Sequence, residues 1–243
     1  YDGEITPEEI FEYADNNKTL PKTNAVNEEA FKEHFAKILN DYDAIIHFDI
    51  SSEMSSAYQN AVNASKNFKN VYVVDSRTLS TAISLEAIYA KKLTETMDDP
   101  AKIVELVKKR IPAVQASFII ERLDYLYKGG RCSGLALLGA NLLKIRPEIE
   151  VLNGNMKNTE KFRGKMADCV TKYCRATLEK YNHPDKSVIF ITHSVADKEL
   201  VDAAKAVVSE YGFENVYETT AGCTVSSHCG KNTLGILYIN DAE

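Results

Sequence analysis

Apolar and polar positions follow two regimes along the chain, with the change near residue 113. Before it, short apolar runs alternate with helical stretches. D-A-I-I-H-F-D-I (43–50) and V-Y-V-V-D (71–75) read as strands, and 55–65, 78–97 and 100–111 as helices. Strand and helix in quick alternation predict βαβ units around a parallel sheet. Pro112 closes the last of these helices. Beyond it, 116–120, 146–152, 186–192, 214–219 and 234–239 are strand candidates, separated in places by long helices at about 161–181 and 196–211. A boundary at 113–116 is expected, giving a Rossmann-like α/β domain over 1–114 and an α+β domain over 115–243.

Composition narrows the class. The chain has 243 residues, 44% hydrophobic and 26% charged, which is the profile of a globular protein able to bury a core. A net charge of −6, with no Lys/Arg cluster interleaved by aromatics, argues against a nucleic-acid binder, which needs a basic face to neutralise phosphates. No apolar run approaches the roughly 20 residues of a membrane span, and the start is not signal-like, so stable membrane insertion is not expected. Five cysteines, an odd count, fit a reduced, cytoplasmic setting. Cys169 and Cys174 fall five apart in a helical stretch and so share no face for a metal. The first residue is Tyr, from which the natural sequence is expected to begin further upstream.

Several stretches could carry chemistry. F-D-I-S-S-E-M-S-S-A-Y-Q-N-A (48–61) runs from a strand end into a helix start around Ser55 or Ser56. Hydroxyls and free N–H donors there suit an anion, although Ser55 as a plain helix cap is the simpler reading. Thr23 and Asn24, after Pro21, offer short polar side chains in an extended turn. K-G-G-R-C-S-G (128–134) pairs glycines ahead of Arg131, but neither a G-x4-G-K-[ST] order nor a G-x-G-x-x-G after a strand is present, so no nucleotide site or cofactor is expected. The apolar 133–145, with small residues at 134, 136, 139 and 140, is a core helix or a cavity lining. Lys157, Lys161, Arg163 and Lys165 form a solvated face, or place Arg163 against a phosphate or carboxylate.

T-T-A-G-C-T-V-S-S-H-C-G (219–230) sets His228 beside Cys229 and among hydroxyls. The Cys223-x4-His228-Cys229 spacing lacks the C-x2-C and H-x3-H pairs of structural zinc sites. Read as extended, the segment turns His228 and Cys229 to opposite faces, which removes a Cys–His nucleophile. Thr220, Thr224, Ser226, Ser227 and His228 then read as donors around an anion, with a purely structural histidine as the alternative.

In this order the stretches resemble the DegV family of two-domain bacterial fatty-acid-binding proteins. The matching pieces are Y-D-G (1–3), P-K-T-N (21–24), I-S-S-E-M-S-S-A-Y-Q-N-A (50–61), V-V-D-S (73–76), L-x-Y-L-x-K-G-G-R (123–131), N-L-L-K-I-R-P (141–147), G-N-M-K with K-x-R (154–163) and G-C-T-V-S-S-H-C-G (222–230). The resemblance implies a mostly antiparallel sheet in the second domain and a long-chain fatty acid held in a tunnel between domains. It implies that Thr23, Ser55, Ser56 and His228 bind the carboxylate, with N–H help from Ser56 and Ala57. It also implies that a separate ATP-binding fatty acid kinase acts on the presented acid, with Arg163 in that step and Arg131 structural. Asn24, Ser56-Ala57 and Gly230-Lys231-Asn232 depart from the family's Ser, Gly-Thr and Gly-Pro-Gly. The family's first strand and its Asp-Ser turn have no counterpart, so the first sheet is expected to lack a strand.

On this reading the protein is a carrier without catalytic machinery of its own. The alternatives are a serine-dependent acyl hydrolase pairing Ser55 with His228, and a lipid-sensing regulatory protein that binds a protein partner.

Overall fold

The computed structural model describes residues 4–133 and 145–242; the Y-D-G motif at 1–3 and the bulk of the apolar 133–145 stretch lie outside them. The chain forms two compact units: 24–114 with 153–155, and the remainder. Residues 4–23 thus belong with the second half of the chain, a correction to the 1–114 boundary, and the cause is a helix whose apolar face finds its partners there.

The α/β unit is organised by a βαβ element. Strands β1 (Ile45–Asp49) and β2 (Val71–Asp75) pair in parallel, Ile45 opposite Val71 and Asp49 opposite Asp75, and the helix α3 (Ala57–Ser65) connects them. Each face of this two-stranded sheet is covered. Phe31 and Phe35 of helix α2 (Glu28–Ile38) pack with Ile45 and with Ala57, Ala61 and Ala64 of α3. Ala90 of helix α4 (Thr81–Thr94) and Ile103, Val104 and Val107 of helix α5 (Pro100–Arg110) pack with Val74. The helix starts follow local chemistry: Asn27 caps Ala30 N–H at 2.9 Å, and Asp99 caps Ala101 N–H at 3.0 Å with Pro100 at the first position. Asn153 and Gly154 have φ of 52° and 83°, the geometry of a two-residue Asn-Gly hairpin turn. Their carbonyls accept from Arg77 at 2.5 Å and from the Ser51 hydroxyl at 2.7 Å.

Among the described residues, the second unit is built on a seven-stranded mixed sheet. Its strands are β3 (Val114–Ile119), β4 (Cys132–Ser133), β5 (Ile145–Leu152), β6 (Asn155–Arg163), β7 (Ile189–Ser194), β8 (Val216–Thr220) and β9 (Thr233–Ile239), in the order β4-β6-β5-β3-β9-β7-β8. β3 is antiparallel to β5 and β7 to β9, whereas β7 and β8, and β4 and β6, are parallel. Helices α7 (Met166–Lys180) and α8 (Lys198–Ser209) bury Val170, Tyr173, Leu200 and Ala204 against Ile119, Ile191 and Ile236. Gly235 is dictated by this packing, because a Cβ there would sit 2.4 Å from the Ser117 carbonyl. The 161–181 helix of the sequence reading starts only at Met166, since 161–163 complete β6, whose alternating Met156-in, Lys157-out pattern has the period of a strand.

Helix α1 (Pro7–Asn17) begins in a reciprocal cap between Thr6 and Glu9, with Pro7 at its first position. Its Ile10, Phe11 and Ala14 pack against Tyr125 of helix α6 (Leu123–Gly129) and Cys223 of helix α9 (Cys223–Cys229). Phe11 meets Tyr125 edge to face with ring centres 5.9 Å apart, and Arg122 reaches Asp15 at 3.3 Å. No helix among the described residues is long and apolar enough to cross a membrane.

Candidate functional site

Docking of α1 on α6 and α9 carries the extended segment after it to the C-terminal run. Thr23 Oγ1 lies 2.8 Å from His228 Nε2, a contact across 205 residues of sequence. His228 is half-buried, and its Nδ1 is fully enclosed without a hydrogen-bond partner among the described residues. Burial, followed by the nearby Arg131 charge, holds the imidazole pKa below its ordinary 6.5, so the ring is neutral at pH 7. When Nε2–H donates to the threonine oxygen, the hydroxyl keeps its own proton to give onward. The pair then presents an O–H donor suited to a carboxylate oxygen.

The run bearing His228 is helical, which corrects the extended reading. Gly222 caps it, and Ser226 N–H and Gly230 N–H close turns onto Gly222 O and Ser226 O, each at 3.0 Å. The serines are not ligand donors. Ser226 gives its hydroxyl to Ala221 O at 3.1 Å and accepts from Ser194, while Ser227 gives its own to Cys223 O at 2.8 Å. Thr224 is exposed and Thr220 ends β8. Burial raises the Cys229 thiol to about 12 and Cys132 to about 11, so neither supplies a thiolate at neutral pH. Cys169 and Cys174 are both buried on α7, and no cluster of three His, Cys, Asp or Glu suited to a metal occurs among the described residues.

Ser55 and Ser56 stand at the start of α3, in the α/β unit. Ser55 Oγ accepts the Ala57 N–H at 3.1 Å, satisfying one donor at the helix start, whereas Ser56, the N-cap residue, makes no side-chain cap. The first turn of α3 carries further N–H groups without intrahelical acceptors. Arg163 is the last residue of β6, exposed and without a hydrogen bond or ion pair among the described residues. Arg131 is exposed and donates to Gly129 O at 2.7 Å. Gly129, which sequence analysis noted only as half of a glycine pair, lies directly against the His228 ring.

The depressed imidazole pKa has a measurable consequence. A neutral folded histidine and an ordinary unfolded one bind protons equally above pH 6.5; as pH falls below it the unfolded chain takes up the proton first and stability is lost. His228→Gln is expected to remove this component, so the melting temperature of the natural protein should fall relative to the variant between pH 7.5 and 5. Parallel melting curves over that range would place the imidazole in solvent instead.

Fold and site together define a two-unit α/β protein with a neutral hydroxyl–imidazole pair suited to an acidic ligand. A sequence model described as "Uncharacterised protein, DegV family" matches residues 1–241, and the chain belongs to that family. A fatty acid-binding protein of Thermotoga maritima is 32% identical, over 96% of this chain and 83% of its own length. A Thermotoga maritima structure reported to reveal a fatty acid binding function is similar at 29% identity, TM-score 0.79, over 97% of this chain and 84% of its own. A fatty-acid-binding DegV family protein of Thermus thermophilus, 23% identical, covers 98% of this chain and 85% of its own with TM-score 0.88, and carries the likeness of fold.

Proposed function

We propose that this protein binds a long-chain fatty acid and presents its carboxylate to a separate ATP-dependent fatty acid kinase. The observation that carries the reading is the 2.8 Å Thr23–His228 contact built on a neutral, half-buried imidazole. A 32% identical relative that binds fatty acids supports the ligand class. Thr23 and His228 hold the head group; Ser55, Ser56 and the first N–H groups of α3 supply further donors. A chain of about 15 methylenes, at roughly 0.8 kcal/mol each, offers about 12 kcal/mol before association costs, so the tail supplies affinity and the polar groups fix orientation. Arg163, exposed and unpaired, is assigned to the step with the kinase, and the protein acts in the cytoplasm without a cofactor of its own.

The hydrolase alternative finds less support. A triad needs a group on Nδ1 to orient the imidazole, and among the described residues Nδ1 has none; the hydroxyl on Nε2 belongs to Thr23, not Ser55. Native mass spectrometry of the purified protein, followed by lipid extraction, tests the proposal: a co-purified long-chain acid is expected, and delipidated protein that fails to take up palmitate would overturn it. Ser55→Ala should weaken palmitate retention severalfold with the melting temperature lowered by only a few degrees, because the lost hydrogen bond from Ala57 N–H costs about 1 kcal/mol.

A further inference from the structure

The two adjacent glycines of the K-G-G-R run are glycines for different reasons. Gly130 has φ of +67°, and a Cβ there would meet nothing within 4 Å, so its backbone conformation demands glycine. Gly129 ends α6 with no such φ, but a Cβ on it would lie 2.3 Å from His228 Nδ1, 3.2 Å from Cε1 and 3.3 Å from Cγ. Non-bonded atoms at rest stand at about 3.5 Å, so a methyl group would have to push the ring by roughly 1 Å.

The ring has little freedom to yield. It sits on α9 between Ser227 and Cys229, both buried, and its far edge is joined to Thr23. Among the described residues no hydrogen bond fixes Nδ1, and on that edge the ring is oriented by packing. The surface it packs on is the bare Cα of Gly129, whose peptide is in turn held by the 2.7 Å bond from Arg131 to its carbonyl.

We infer that Gly129 is a positioning residue: by lacking a side chain it seats the His228 ring where Nε2 meets Thr23, and so sets the geometry with which the pair receives a carboxylate. The inference rests on the proposed fatty-acid reading only for its ligand; the seating of the ring is independent of it. A displacement of roughly 1 Å takes a 2.8 Å hydrogen bond beyond its working range.

The test uses the full chain as natural protein, Gly129→Ala, His228→Ala and the double variant. In ligand-free protein, Gly129→Ala is expected to move the His228 ring resonances, assigned by their loss in His228→Ala, and to shift their titration midpoint. It should also weaken palmitate binding about tenfold in the natural background and less than twofold when His228 is already alanine. Unmoved ring resonances, or an equal penalty in both backgrounds, would overturn the inference; where His228→Ala binds too weakly to measure, the resonances decide. Should Gly129→Ala fail to fold, removing the ring in the double variant must restore folding, and persistent misfolding overturns the idea. Natural protein that binds no palmitate would sink the ligand reading while the ring resonances still judge Gly129.

Discussion

Replacing His228 with alanine is expected to weaken palmitate binding about 10- to 100-fold while leaving the protein folded. Hydrogen bonds to a charged group contribute about 1.5–3 kcal/mol, which converts to that range of affinity. The loss is larger than for Ser55→Ala because, in the proposed site, the imidazole does double duty: it would meet the carboxylate and it holds Thr23, 2.8 Å away. Stability should change little, since the substitution also removes an enclosed Nδ1 that has no partner among the described residues. Displacement of a fluorescent fatty acid, measured beside a thermal melt, separates the two quantities. Unchanged affinity in His228→Ala would move the head-group site elsewhere.

A second large effect lies far from that pair, at Glu86 on α4. Its side chain is buried, with 2% of the residue exposed, and neither carboxyl oxygen has a partner among the described residues. Burial, reinforced by the negative charge of Asp75, raises its pKa to about 9, so the folded protein keeps this carboxyl protonated at pH 7. The folded pKa is raised, hence the stability it contributes is full below the unfolded value of 4.5 and drains away as pH rises towards 9. The slope is one proton, about 1.4 kcal/mol per pH unit. Glu86→Leu is therefore expected to raise the melting temperature by several degrees at pH 8, with a gap over the natural protein that narrows as pH falls towards 5. A gap that stays constant across this range would mean that Glu86 is already ionised and hydrated.

Much of the architecture was legible because the apolar runs were bounded by turn residues. The strands at 43–50 and 71–75 and the helix between them fall on β1, β2 and α3 within a few residues, for burial on both sheet faces writes itself into sequence as short continuous apolar runs. The run at 219–230 was not, since Thr and Val at 224 and 225 favour a strand locally, while the Gly222 cap and the packing of Cys223 against α1 make a helix. Helix α1 carried its signal openly in T-P-E-E, a capping box with proline at the first position, yet its partners are over a hundred residues away. Thr23 and His228 were both singled out from sequence as candidates, but only the fold shows them touching. Gly129 illustrates what a sequence withholds: a glycine needed for a turn and a glycine needed as bare floor under another ring are the same letter.

The interleaving of the two units has a practical bearing on how the protein could be dissected. The chain passes from one unit to the other after Thr23, after Val114, after Leu152 and after Asn155. A fragment cut at the apparent midpoint and begun at Gln115 would contain His228 and its glycine floor but not Thr23, nor the α1 face that covers Tyr125. Truncation studies that treat the molecule as two consecutive halves would therefore divide the Thr23–His228 pair itself. An excised second unit would have to carry 4–23 by fusion or permutation to retain it.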